Sequence, residues 1–230
     1  MKGGIDFQEF MGLKNMEIVT TYETGNLVLD GLNALFETRT KIILEEGKEK
    51  WSEIPTGTAR KHPELAGKPI GPIVLVVDEL AELSKQATKS AANSDLQEKV
   101  ARLARLARVT GIHLILGTQR PDVKVLSPQS RNNLPTKVCF SVPTIAASTI
   151  VVNNMSAATL GGHPGRAVVI ERKTQIAQTP YLTRAELDER LSPIRRMQEY
   201  SSDDVRIYRP EPGVTLQDSP DRSIGGASDA

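Results

Sequence analysis

A chain of 230 residues has room for one domain, or one and a half. Its 39% hydrophobic and 25% charged residues are ordinary for a soluble globular protein, and a formal net charge of +1 excludes a global basic field, so any nucleic-acid contact has to come from a local cluster. The single Cys139 excludes an intramolecular disulfide framework and suits a reducing cytoplasm, while no apolar run approaches the ~20 residues of a bilayer span.

Lys2-Gly3-Gly4 opens the chain, followed by Phe7, Phe10, Met11 and Leu13. Val28, Leu32, Leu35 and Phe36 recur at helical spacing and predict a helix over Thr24–Glu46, ended by Gly47, with Arg39 and Lys41 on its solvated face. Residues 47–71 carry Pro55, Gly57, Pro63, Gly67 and Pro69 and read as a long surface excursion, functional or mobile. Trp51 within it packs against the body, or offers a stacking platform for bases.

The run Ile73–Val77 has no alternation and predicts a strand buried on both faces, ending in Asp78-Glu79. After a polar break, Ser84 to Ser94, a helix is predicted over Leu96–Thr110 with Ser94 or Asn93 as its cap. Leu96, Val100, Leu103, Ala104 and Ala107 form its inner stripe; Lys99, Arg102, Arg105 and Arg108 wind around the exposed side. A second strand, Ile112–Leu116, ends in Gly117-Thr118-Gln119-Arg120-Pro121.

Two such strands joined by a helical connection make a βαβ unit, so both carboxyl ends fall on the rim where α/β sheets bind ligands. Asp78, Glu79 and Gln119 therefore share one edge. An apolar run closed by Asp-Glu is the Walker B pattern: the Asp holds Mg²⁺ and the adjacent carboxylate orients the attacking water. The bland alternative is that Asp78 simply caps a helix over Glu79–Lys85. Gln119 on the neighbouring tip favours nucleotide chemistry, since phosphoryl transfer needs a polar group there.

Pro121–Pro135 is a loop bearing Lys124, Arg131, Asn132 and Asn133, and the segment Pro143–Thr149 carries no charge. His163 reads as a turn residue within Leu160–Gly165, His113 as core and His62 as loop; no metal-ligand spacing occurs. Ala167–Glu171 and Gln175–Gln178 predict a β-hairpin, and Thr183-x-x-Glu186 a capping box opening a helix with Leu187, Leu191 and Ile194 inward. From Glu199 the composition predicts a disordered tail.

The run VVDELAEL, then ARLARLARVTGIHLILGTQRPDV, then NNLPTKVCFSV resembles the motor core of the FtsK/SpoIIIE family of DNA-translocating ATPases, specifically over Ile73–Ser141. The resemblance implies an α/β, RecA-like P-loop NTPase core with a parallel sheet, incomplete at its N-terminus, over residues 1–198, with a C-terminal β-hairpin and helix. It implies ATP and Mg²⁺ as cofactors, double-stranded DNA as partner and a ring, hexameric in the family. On the matching positions Asp78 and Glu79 are the Walker B pair, Asp78 the Mg²⁺ ligand, Gln119 the sensor, and Arg108 an arginine finger serving a neighbouring subunit. Arg120 and Arg131 fall on phosphate-contacting positions, with Lys124 in the same loop. The segment 143–149 departs from the family, whose second DNA-facing loop is basic; Ser148 and Thr149 are left as hydrogen-bond donors.

No G-x-x-x-x-G-K-[ST] occurs, because Gly47-Lys48 and Gly67-Lys68 lack the preceding Gly and following hydroxyl. A shortened reading frame, a split motor and an inactive remnant each account for this; keeping Asp78, Glu79, Gln119 and Arg108 together argues for the first two. The implied function is the Walker B, sensor and finger half of a DNA translocase, in chromosome segregation or conjugative transfer. The alternatives are a protein-export ATPase of the same fold or a non-catalytic partner of an intact motor. A cytoplasmic location follows, at the inner membrane face if a membrane-anchored part is attached.

Overall fold

The structure, a computed structural model, describes residues 5–13, 16–86, 90–121 and 128–200. Lys124, the opening Met1–Gly4 and the tail expected to be disordered beyond residue 200 lie outside the described residues. Helix α1 spans Tyr22–Glu45 and is capped by Thr21, whose hydroxyl accepts from Thr24 N–H at 3.3 Å. Gly47 follows the helix with φ +60°, which a side chain tolerates poorly.

Strands β1 (Ile73–Val77) and β2 (Ile112–Leu116) pair in parallel, Ile73 opposite Ile112 and Val77 opposite Leu116. Helices α3 (Leu80–Gln86) and α4 (Ser90–Leu106) connect them, α2 being the short turn Thr56–Ala59. Leu29, Leu32 and Phe36 of α1 meet Leu80, Leu83, Leu96, Val100 and Leu103 against Ile73, Leu75, Val77, Leu114 and Leu116. Each fully buried aliphatic side chain contributes about 1.5–3 kcal/mol, so this layer carries the parallel unit.

The sheet is not buried on both faces. Val74, Val76 and Ile115 point away from the helices and stay 57%, 54% and 58% exposed. His113, expected in the core, is exposed on the same face. Unbroken apolar runs reflect an environment apolar on both sides, and among the described residues the helices cover one side only.

A second sheet joins β3 (Lys137–Phe140), β4 (Arg166–Ile170) and β5 (Thr174–Gln178), all antiparallel. The predicted hairpin is therefore present, extended by β3. Cys139 and Val168 pack on Val152, Ala157 and Leu160, and burial pushes the Cys139 thiol pKa up. Helix α5 (Pro128–Asn132) precedes β3, and α6 (Ile145–Val152) follows it. The uncharged segment 143–149 is thus mostly helix, capped by Thr144. Helix α7 (Arg184–Tyr200) opens with the predicted capping box: Glu186 N–H donates to Thr183 Oγ1 at 3.2 Å, and Thr183 N–H to Glu186 Oε2 at 2.8 Å. Of its expected stripe Leu191 is buried, while Ile194 stays exposed.

The helix expected over Leu96–Thr110 begins earlier, at Ser90, where Ala91-Ala92 favours it, and gives way to a 3₁₀ turn over Ala107–Thr110. The excursion 47–71 is folded rather than open. Three short helical turns bring Trp51, Ile54, Ala59 and Leu65 onto Leu35, Ile42 and Ile43 of α1. Arg39 is the largest departure from the sequence pattern: it is fully buried instead of solvated. Its guanidinium donates to the carbonyls of Thr110, Pro69 and Gly71 at 2.7, 2.8 and 2.8 Å and lies 4.6 Å from the Trp51 ring centre. Burial without a carboxylate lowers its pKa to about 10.

Candidate functional site

The tips of β1 and β2 meet where Gly117 N–H donates to Val77 O at 2.7 Å and Leu80 N–H to Gly117 O at 2.9 Å. A Cβ on Gly117 would stand 2.5 Å from the Asp78 carbonyl oxygen, so only glycine lets the tips close this far. That closure carries residues 118–120 over the acidic pair.

Glu79 receives them. Its Oε1 accepts from Thr118 Oγ1 at 2.6 Å and from Ala81 N–H at 3.1 Å, and its Oε2 from Gln119 N–H at 2.7 Å. The capping role considered for Asp78 thus belongs to Glu79, through Ala81. Asp78 is exposed beside it, and among the described residues no donor reaches its carboxylate. The expected rim exists: Asp78, Glu79 and Gln119 share one edge, with the Gln119 side chain exposed. Gly117 and Thr118 belong to it too. Neither stands out by residue type alone; the signal is position, a glycine at the strand end and a hydroxyl next to the sensor amide.

A free carboxylate at a strand tip, next to an engaged one, suits a divalent cation with hard oxygen ligands. Mg²⁺ commonly takes one or two carboxylates and completes its shell with water and phosphate oxygens, so the lone Asp78 fits that demand. No group of three or more His, Cys, Asp or Glu suited to a metal occurs among the described residues.

Arg108 is not brought to this rim. It lies exposed on the turn before β2, whereas Gln119 follows β2, so five strand residues separate them by about 17 Å along the sheet. Arg39 ties that turn down through the Thr110 carbonyl, and Thr110 Oγ1 donates to Ala107 O at 2.7 Å.

The other basic residues divide. Lys99 and Arg102, expected on a solvated face, dock on α1: Lys99 Nζ is 2.7 Å from both Asp30 and Asp95, and Arg102 is 2.7 Å from Glu37 and stacks over Phe36. Partial burial works against the Lys99 charge, but its hydrogen bonds to Asp30 and Asp95 outweigh this and raise its pKa. Arg105 and Arg108 have no acidic partner among the described residues. Arg120 is exposed. Arg131 instead donates to the Ile150 carbonyl of α6, with its Nε buried and unpaired. Ser148, considered as a phosphate donor, is buried: its hydroxyl donates to Asn154 O at 2.6 Å and accepts from Ala157 N–H at 3.1 Å. His163 is a turn residue, its carbonyl accepting from Arg166 N–H at 3.2 Å.

A family model described as FtsK/SpoIIIE matches residues 15–123. The chain is 36% identical over 114 residues to the DNA translocase FtsK of Sporosarcina ureae, covering 50% of this chain and 13% of that protein. With the FtsK of Halalkalibacterium halodurans it shares 34% over 149 residues, covering 63% of this chain and 18% of the relative. The conjugation coupling protein TcpA of pCW3, solved as a monomer with ATPγS, superposes with a TM-score of 0.69 at 30% identity, over 86% of this chain and 55% of TcpA. The cytoplasmic domain of the type VII secretion ATPase EccC of Thermomonospora curvata superposes at 0.65 and 19% identity, over 91% of this chain and 25% of its own, a likeness of fold alone. The chain thus spans less than a fifth of these FtsK relatives and about half of TcpA. Its fold is that of P-loop ATPase motor domains.

Proposed function

We propose that this chain, whose residues 15–123 match the FtsK/SpoIIIE family model, supplies the Walker B, sensor and arginine-finger half of an ATP-dependent DNA translocase. The observation that carries the reading is Glu79, held across two strand tips by Thr118 and the Gln119 amide, next to an unengaged Asp78. In this reading Asp78 would hold Mg²⁺, Glu79 polarises the attacking water, and the Gln119 side chain senses the γ-phosphate. Arg108, too far from its own rim, acts on the nucleotide of the adjacent protomer in a ring, where it offsets charge developing on the phosphoryl group. Mg²⁺ itself supplies charge neutralisation on the phosphates.

The β- and γ-phosphates need a G-x-x-x-x-G-K-[ST] loop, a motif this sequence does not contain. The uncovered face of Val74, Val76 and Ile115 supports a further strand–helix segment of the motor, on this polypeptide or another, packing there and bringing that loop. The test combines the chain with a P-loop-bearing segment of the same family and measures ATP hydrolysis with and without duplex DNA. DNA-stimulated hydrolysis is expected, abolished by Glu79→Gln; a Glu79→Gln protein of full activity removes Glu79 from the chemistry.

Export of polypeptide is the second reading, favoured by the inward-turned Arg131 and the uncharged start of α6, which leave few cations for a phosphate backbone. Binding of duplex DNA that falls steeply with salt separates the two: translocation of DNA requires it and protein export does not.

A further inference from the structure

The antiparallel sheet carries a pocket that the proposed function does not use. It is open, has a volume of about 240 Å³, and is lined by Phe140 and Ser141 at the end of β3 and by the turn 161–166 that leads into β4. Pockets that enclose a whole small molecule run to ~300–1,000 Å³, so this one suits a single group of a ligand. Leu160 is right-handed helical (φ −63°, ψ −19°) and Gly161 left-handed (φ +72°). Such a pair turns successive main-chain N–H groups into one concavity that receives anions. Among the described residues the N–H groups of Leu160, Gly161, Gly162 and His163 have no acceptor.

The other side of the turn is pinned to β5 and the residue after it. Gln178 Nε2 donates to Pro164 O at 2.8 Å, and Gly165 O accepts from Thr179 N–H at 2.8 Å and from Thr179 Oγ1 at 2.9 Å. A Cβ on Gly165 would stand 2.7 Å from Gln178 Nε2, so this fastening needs glycine. A Cβ on Gly161 would meet only His163 Cδ2, at 3.8 Å, which puts the imidazole beside the concavity. Arg166 is half-buried, and neither it nor His163 has an acidic partner among the described residues. Ser141 adds an exposed hydroxyl, and the half-exposed Phe140 an apolar wall. Main-chain amides, a guanidinium and a hydroxyl together exceed what the two oxygens of a carboxylate need and match the oxygens of a phosphate group. We propose that this pocket is a phosphate-binding site, in which the amides of residues 160–162 and Arg166 hold a phosphate group that is free or carried by a nucleotide or a nucleic-acid strand. The site does not depend on the function proposed above.

The test uses the full chain and follows backbone amide shifts by NMR while inorganic phosphate replaces chloride at constant ionic strength. Saturable shifts are expected at Gly161, Gly162 and His163. Arg166→Gln is expected to weaken binding about tenfold, the scale of one hydrogen bond to a charged group, and Arg166→Lys by less, because the charge stays and only the fork is lost. Unchanged amide positions elsewhere in the spectrum show that each variant is folded. Absent or non-saturating shifts, or an Arg166→Gln protein that binds as the wild type does, overturn the site. Acetate bound as tightly as phosphate overturns the assignment to phosphate. The source is read on the same amides with AMP and with a short oligothymidylate lacking terminal phosphates: a free nucleotide if AMP binds most tightly, a strand if the oligothymidylate does, and free phosphate if neither exceeds the inorganic ion.

Discussion

Arg39 offers the sharpest test of how this fold is held. The side chain is fully buried, ties α1 to Pro69 and Gly71 of the excursion and to Thr110 before β2, and stacks on Trp51. Trp51 in turn donates from Nε1 to the Ile70 carbonyl at 2.7 Å, and both side chains lie against Gly111 (φ +74°), where a Cβ would stand 3.2 Å from Trp51 Cδ1 and 3.4 Å from Arg39 Nη1. Arg39→Met keeps the apolar stem and removes the fork. The buried Thr110 carbonyl then lacks a donor at about 1–3 kcal/mol, Pro69 and Gly71 lose charge-assisted bonds in partly exposed sites, and the desolvated cation–π contact adds about 1–2 kcal/mol. Against this stands the relief of a charge whose pKa burial has lowered to about 10. The net loss expected is about 3 kcal/mol, read from the midpoint of urea unfolding. At about 2–4 °C per kcal/mol for a chain of this size, the thermal midpoint falls by about 6–12 °C. Arg39→Lys keeps the charge but cannot satisfy three carbonyls while stacking, and should lose about half as much. An Arg39→Met protein within about 0.5 kcal/mol of wild type would refute the reasoning, because buried carbonyls would then be finding other donors without cost.

Ile115→Glu on the uncovered sheet face should leave the isolated chain within about 0.5 kcal/mol of wild-type stability, yet block its association with a P-loop-bearing segment in a pull-down. Arg120→Ala should weaken duplex DNA binding and reduce the magnitude of the log K against log salt slope by about 1, whereas Arg131→Ala should lower the melting temperature more than it alters that slope, since Arg131 is spent on Ile150. The hydrogen bonds from the Thr183 side chain and backbone hold the Glu186 carboxyl below its ordinary value of 4.5. The folded value is depressed, so this contribution is present above pH 4.5 and lost as pH falls through the folded value. Amide exchange at the start of α7 should therefore quicken below that pH in the wild type, and Thr183→Ala should be fast throughout.

Residues 73–77 and 112–116 are strands because short apolar runs bounded by glycine, proline or charge favour extended backbone, and that much is readable from neighbours in the chain. The capping box at Thr183 and the shared edge of Asp78, Glu79 and Gln119 are legible for the same reason, since spacing and parallel pairing fix them. Tertiary structure alone decided where Arg39, Lys99, Arg131 and Ser148 go. Each looks solvated by its local pattern, and each is claimed by partners elsewhere in the fold. Arg39 binds a carbonyl 71 positions away, and the Thr118 hydroxyl meets Glu79 39 positions away. A side chain's polarity can be read locally, but the donors and acceptors it meets depend on which backbone segments the core brings together. Here that core covers one face of the parallel strands and leaves the other apolar and open.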